Sequence, residues 1–414
     1  MPTPPKYHRQ DVDDLCGLAC AQIALGQFGV EVVRQEDLAS TRSSYPPGAG
    51  FEGWSTSPDQ LAGVLHSPSI APDFVRNRFS MKFLTPHMRS LAWSMQSGGI
   101  AWIALVFEDM HWVVVSKIDT TREPSNATDR RYAIKGVEIK DPWVPARLAS
   151  PLGMFVPAPM PPPPHAISGD DLCGTGGAEG GYGTAYQHIS YHWWMKRYFT
   201  GLPEDYPGPK RLITISLKGT MPTRSETFIA PEPLPPIPFP GLDRLIRPEE
   251  AQNAATRGVA QYGLSSREPW HTKLMGTVAG ESVLVTDADM PGPSSDYYYI
   301  VPLQRSETDI PVAVIVAAKD GVYRQAVALE GSGSLLVPPR TREETMVRSL
   351  RSSRKFDMHN AILQTPLVWR PCRESFSPFW PFALLTLGQQ KFYVRNDGEV
   401  FTQLSEGKQR LRGI

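Results

Sequence analysis

The chain has 414 residues, with 42 basic and 42 acidic side chains, zero formal net charge and a hydrophobic fraction of 41%. Domains of about 150 residues make two or three the expectation, and a balanced charge argues for no nucleic-acid or anionic-membrane partner. No apolar run approaches the roughly 18 residues of a membrane span, the polar MPTPPKYHRQ start lacks a secretory signal's apolar core, and four cysteines in so long a chain make no disulfide framework, so a reducing, cytoplasmic setting is expected, with signal-less secretion still open.

Chemistry begins early, in residues 10–24, QDVDDLCGLACAQIA. A thiol nucleophile needs a base, an oxyanion donor and a field that favours thiolate. Apolar spacing over residues 18–28, closed by Gly29, predicts a helix starting just after Cys16. Its N–H groups and positive dipole end would lower the pKa of that thiol. Gln10 carries a side-chain amide able to point at a developing oxyanion. Asp13 and Asp14 act the other way and raise the thiol if they face it. Cys20, four residues along the helix, reads as a core thiol. A zinc site on Cys16 and Cys20 is disfavoured, because CxxxC without a second cysteine pair is poor structural-zinc spacing. Neither a metal nor a cofactor is expected.

Residues 37–43 suggest a short helix, and residues 45–55, with three glycines and two prolines, a loop. Ser57-Pro58-Asp59-Gln60 supplies an N-cap, a proline at the first helical position and a capping-box glutamine for a helix running to about residue 65. A further helix over 86–96 ends at Gly98-Gly99. Two β-rich runs, 100–107 and 112–115, then flank Glu108, Asp109 and Met110, a hairpin with His111 at the head of its second strand. A third strand, 132–140, stops at Asp141-Pro142 and leaves the carboxylate at its tip. Asp141 could there orient the imidazole of His111.

Gln10, then Cys16-Gly17, then His111 followed by tryptophan and valines, then Asp141-Pro142, is an order with a family likeness. It resembles papain-like cysteine peptidases, most closely the bacteriocin-processing (double-glycine) peptidase group, over residues 6–218. The resemblance implies an α+β domain in which an N-terminal helix packs on an antiparallel sheet. It further implies that Cys16 is the nucleophile, His111 the base, Asp141 its orienter and Gln10 the oxyanion donor, acting on a peptide or protein substrate. The chain departs from the family in its acidic approach to Cys16, a large insertion and the lack of a transporter domain. Transporter-linked members of that group cleave leader peptides after Gly-Gly during export. With neither a membrane span nor a nucleotide-binding loop in this sequence, that job is not implied.

The insertion is residues 143–187, where PAPMPPPP runs into GTGGAEGGYGT. Such composition cannot bury a core and reads as a long loop. Starting from the tip that presents Asp141, it is expected to act as a lid or substrate-contacting flap. Inside it, Asp170-Asp171-Leu172-Cys173-Gly174 repeats the sequence around Cys16. Glycines follow that copy instead of a helix, so Cys173 reads as a decoy. Residues 188–201 then suggest an aromatic helix and 212–217 a closing strand.

Residues 219–240 form a proline-rich linker, and residues 241–414 have the texture of a second α+β domain with an antiparallel sheet. Its elements are a helix over 248–263, strands at 297–303 and 312–318, and an Asp320-Gly321 turn into 322–329. A second turn, Asn396-Asp397-Gly398, joins 391–394 to 400–404. No nucleophile–base pair is legible there, and PLVWRPCRESFSPFWPF is either an interaction surface or core. Cysteine peptidase, acyltransferase on the same residues, and catalytically silent papain-like binding module all remain open at this level.

Overall fold

The computed structural model describes residues 16–28, 35, 38, 61, 64–65, 74–80, 84–98, 101–107, 111–143, 184–199, 211–217, 245–288, 296–306, 309–329, 361–372, 374–387, 390–395 and 400–405. Gln10, Cys173, residues 144–183 of the lid expected of 143–187, the 219–240 linker and the Asn396-Asp397-Gly398 turn lie outside these. The chain divides into two compact units, whose described residues are 16–143 with 184–217, and 245–405. Both are α+β. Among the described residues, no helix is long and apolar enough to cross a membrane.

The first unit is built around α1, Cys16–Gly26, in which every residue from Cys16 to Leu25 is buried. A helix apolar on all sides must sit inside a protein. Leu18, Ile23 and Leu25 pack with Ile103, Leu105, Trp112 and Val114 in one core, and burying each such side chain contributes about 1.5–3 kcal/mol. The helix polar groups are matched locally: Gln35 Nε2 donates to Gln22 Oε1 at 2.9 Å, and Gln27 Oε1 accepts from the Ala101 N–H at 2.8 Å.

Beside α1 stands an antiparallel sheet of β1 (Phe74–Ser80), β2 (Trp102–Val106), β3 (His111–Thr120), β4 (Ile134–Asp141), β5 (Thr184–Ser190) and β6 (Arg211–Leu217). Its order is β1-β6-β2-β3-β4-β5. Strand β1 was not expected from the sequence; it pairs with β6 along its whole length, Phe74 opposite Leu217 and Ser80 opposite Arg211. Helix α2, Leu84–Gly98, buries Met88, Leu91, Ala92 and Met95, the i, i+3, i+4, i+7 stripe of a one-sided helix.

The segment after the insertion differs from expectation. The aromatic helix anticipated over 188–201 gives way to β5, which pairs Gly136 with Ser190 and Ile139 with Gln187. Only at Tyr191 does the chain coil, as the short α3 (Tyr191–Trp193) running into a π-helical turn, Trp194–Tyr198. Pairing explains the change: β4 presents a free ladder edge, and hydrogen-bonding it outweighs a helical aromatic pattern. The insertion is correspondingly shorter than 143–187, since its last residues are ladder. Trp194 stacks on Tyr198 at 5.8 Å and tilts against Phe199 at 5.4 Å, and Phe199 in turn lies 6.3 Å from Trp102 of β2.

Among its described residues the second unit carries α4 (Pro248–Gln261), α5 (Trp270–Leu274) and nine strands: β7 (Val278–Ala279), β8 (Val283–Asp287), β9 (Tyr297–Gln304), β10 (Val312–Ala317), β11 (Tyr323–Ala328), β12 (Ala361–Trp369), β13 (Phe382–Leu387), β14 (Gln390–Arg395) and β15 (Val400–Phe401). Their order is β11-β10-β9-β8-β12-β13-β14-β15, with β7 also on β9. All pairs but the parallel β8–β12 are antiparallel. Pro248 opens α4, and the Arg247 N–H donates to Glu250 Oε2 at 2.8 Å, one half of a capping box. The β10–β11 hairpin turns at Gly321, whose φ of 71° suits glycine. Within PLVWRPCRESFSPFWPF, the side chains of Trp369, Phe376, Phe379, Trp380 and Phe382 are all buried. Those aromatics are core, and two strands, β12 and β13, run through or beside them.

Candidate functional site

Three elements of the first unit end close together. Cys16 is the first residue of α1, His111 the first of β3 and Asp141 the last of β4. The β3–β4 register pairs Val114 with Lys140. Extended by one residue it sets Asp141 opposite Val113, and so diagonal to His111 on the same face, within reach across the ladder. His111 Nε2 meets Asp141 Oδ1 at 2.7 Å, with both side chains shut away from water. Cys16 lies close enough to the same imidazole to help hold its proton. With Nε2 given to Asp141, proton exchange with the thiol falls to Nδ1.

Electrostatics reinforce the geometry. Burial alone would depress the His111 imidazolium. The Asp141 carboxylate, by its charge and its hydrogen bond, and the adjacent Cys16 more than reverse this and hold it up at about 9. His111 is therefore cationic at neutral pH, and a cation beside a thiol is what a reactive thiolate requires. The first turn of α1 adds N–H groups without intrahelical acceptors and the positive end of the helix dipole. Cys16 is 6% exposed, against 0% for Cys20. Burial, then the charges of Cys16 and Asp141, push the Cys20 thiol well up, the behaviour of an inert core cysteine.

Asp141 is itself held. Its Oδ1 also accepts from the Trp143 N–H at 2.9 Å, and its Oδ2 accepts from Gln187 Nε2 at 3.3 Å. Reasoning from sequence missed Gln187, because the glycine-rich run before it concealed the strand it belongs to. The available signal was the alternation in AYQHIS, overlooked in favour of the helical aromatic pattern that follows. Of the four residues expected to form a site, Cys16, His111 and Asp141 converge; Gln10 is outside the described residues.

Other buried histidines are engaged elsewhere. His188 Nε2 lies 3.2 Å from Asp119 Oδ2, reaching it across β4 above Gly136, where a Cβ would come within 2.7 Å of that nitrogen. His87 meets Thr214 Oγ1 at 3.3 Å, and burial pushes its imidazolium down to about 3, so it stays neutral. Compared with known proteins, the chain matches no family model, no curated protein and no solved structure.

Proposed function

We propose that the first unit is a papain-like thiol hydrolase, akin to the bacteriocin-processing peptidase group, that cleaves peptide bonds. One observation carries the reading: a buried His111–Asp141 pair at 2.7 Å, with Cys16 at the head of α1 near enough to help hold the proton of that imidazole. Structural cysteines and histidines have no need of that three-way arrangement, whereas nucleophile activation does.

In this scheme the Cys16 sulfur attacks the substrate carbonyl carbon, and the carbonyl π electrons move to oxygen. The Cys16 N–H and, by resemblance, the Gln10 amide stabilise the oxyanion. The imidazolium of His111 then protonates the leaving amine as the C–N bond breaks, giving an acyl-enzyme. Water attacks the thioester carbonyl, surrendering a proton to His111, and collapse releases the carboxylic acid and the thiol. Asp141 keeps the imidazole in one orientation and stabilises its charge throughout.

The test is covalent labelling with an iodoacetamide-type probe, read by intact mass, on the full chain. Cys16 should label far faster than Cys372, and His111→Ala should slow it. Labelling of Cys16 no faster than Cys372 would sink the reading in favour of a silent scaffold.

A further inference from the structure

One oxygen of Asp141, Oδ1, serves both His111 and the Trp143 N–H. A carboxylate gripped by one oxygen can still swing about its χ2 bond, whose energy well is broad. A contact on the other oxygen, Oδ2, restrains its plane, and Gln187 Nε2 supplies one at 3.3 Å. Gln187 is wholly buried, so water does not compete for that oxygen. An amide also suits the task chemically. It donates without carrying charge, so it restrains the carboxylate and leaves the negative charge to His111; an arginine or lysine would compete for it.

The strand that delivers Gln187 is shaped for this. Ile139 pairs with Gln187, yet Asp141 pairs with Thr184, so β5 carries one extra residue where it passes Asp141. Such a bulge re-aims neighbouring side chains and is common beside active sites. The next residue, His188, points to the opposite face and ties β5 to Asp119 of β3 at 3.2 Å. Consecutive side chains thus anchor β5 on both faces.

We propose that Gln187 is a positioning residue: it locks the plane of Asp141, which aims His111 at Cys16. This inference rests on the thiol-hydrolase reading and adds a fifth member to its machinery.

The experiment is the pH profile of Cys16 alkylation in the full chain, comparing wild type with Gln187→Met, Gln187→Glu and His111→Ala. Gln187→Met keeps the bulk and loses the donor. It should move the acid limb of the profile to higher pH and slow labelling at pH 6–7 about tenfold, the worth of one hydrogen bond to a charged group, while the high-pH plateau stays put. Gln187→Glu is the sharper probe. Its carboxylic acid can donate to Asp141 only while protonated, so labelling should approach wild type at low pH and fall below it as that proton leaves. A merely structural role predicts a uniform change at every pH, and that outcome overturns the proposal. A Gln187→Met profile equal to wild type, with His111→Ala still slow, overturns it while sparing the hydrolase reading; a wild-type profile unaffected by His111→Ala overturns both. Should Gln187→Met fail to fold, the wild-type side-chain amide protons decide: one Gln187 Nε2 proton must exchange slowly and shift in Asp141→Asn, and fast exchange rejects the proposal.

Discussion

His111 and Asp141 lie diagonally across the β3–β4 ladder and close to 2.7 Å with neither side chain in water. A buried charge pair broken on one side is costly, because the surviving partner keeps its desolvation penalty and loses its compensation. Asp141→Ala should therefore destabilise the first unit by about 3–5 kcal/mol, while Asp141→Asn, which keeps shape and a hydrogen bond, costs less. Both should lower the His111 imidazolium from about 9, since the Asp141 charge and hydrogen bond are the largest opponents of burial there. Urea unfolding at pH 7 and the histidine ring shifts in NMR check the two halves of this prediction.

The same pair sets a pH dependence whose direction is fixed. The folded His111 imidazolium is held at about 9, above the roughly 6.5 of an unfolded histidine. A raised cation stabilises the fold fully below the lower value, and its contribution fades as pH rises through the higher one. Wild type should thus lose stability between about pH 6.5 and 9, and Asp141→Asn should show a flatter slope there. Equal slopes in the two proteins would contradict the assignment.

The thiols should separate cleanly. Burial pushes Cys20 and Cys372 upward, so both should resist alkylation in the native chain and react only in denaturant. Counting labels per molecule by mass, before and after guanidinium, tests this directly. Native labelling of Cys20 at the rate of Cys16 would be inconsistent with the packing around α1.

Two glycines should reject a methyl group. At Gly136 a Cβ would meet His188 Nε2 at 2.7 Å, the Ile189 carbonyl oxygen at 2.8 Å and His188 Cε1 at 2.9 Å. Gly136→Ala should cost about 1–3 kcal/mol as overpacking. In α4, Gly258→Ala would gain about 1 kcal/mol of helix propensity. The new Cβ, however, would lie 2.5 Å from Tyr323 Cδ2 and 2.7 Å from its Cβ, so the net effect should still be destabilising. Thermal unfolding of each variant gives the sign.

How far the sequence spoke for itself varied with the kind of signal. Local periodicity and caps located α1, α2, α4 and the β2–β3 and β10–β11 hairpins, because those elements are held by neighbours in sequence. His111 and Asp141 were legible as a pair because each ends its strand, one at a polar break and one before a proline. Strands β1, β8, β12 and β13 were not, since each is defined by a partner far along the chain; β12, for instance, takes β8 in parallel, with Leu367 opposite Val285. The partnership of Gln187 with Asp141 was hidden for the same reason: alternation could have placed its strand, but only the ladder brings the two together.

Helix α1 has no side turned to water from Cys16 through Leu25. Its second turn therefore cannot be uncovered while the first stays in register with β3, and reagent that reaches Cys20 reports a unit whose reactive corner has already come apart. Foldedness and thiol competence in this unit are one property read at two sulfur atoms. Tuning what the site accepts must accordingly fall to strand ends and loops, because the helix that bears the thiol is too deeply packed to be altered without unmaking the core.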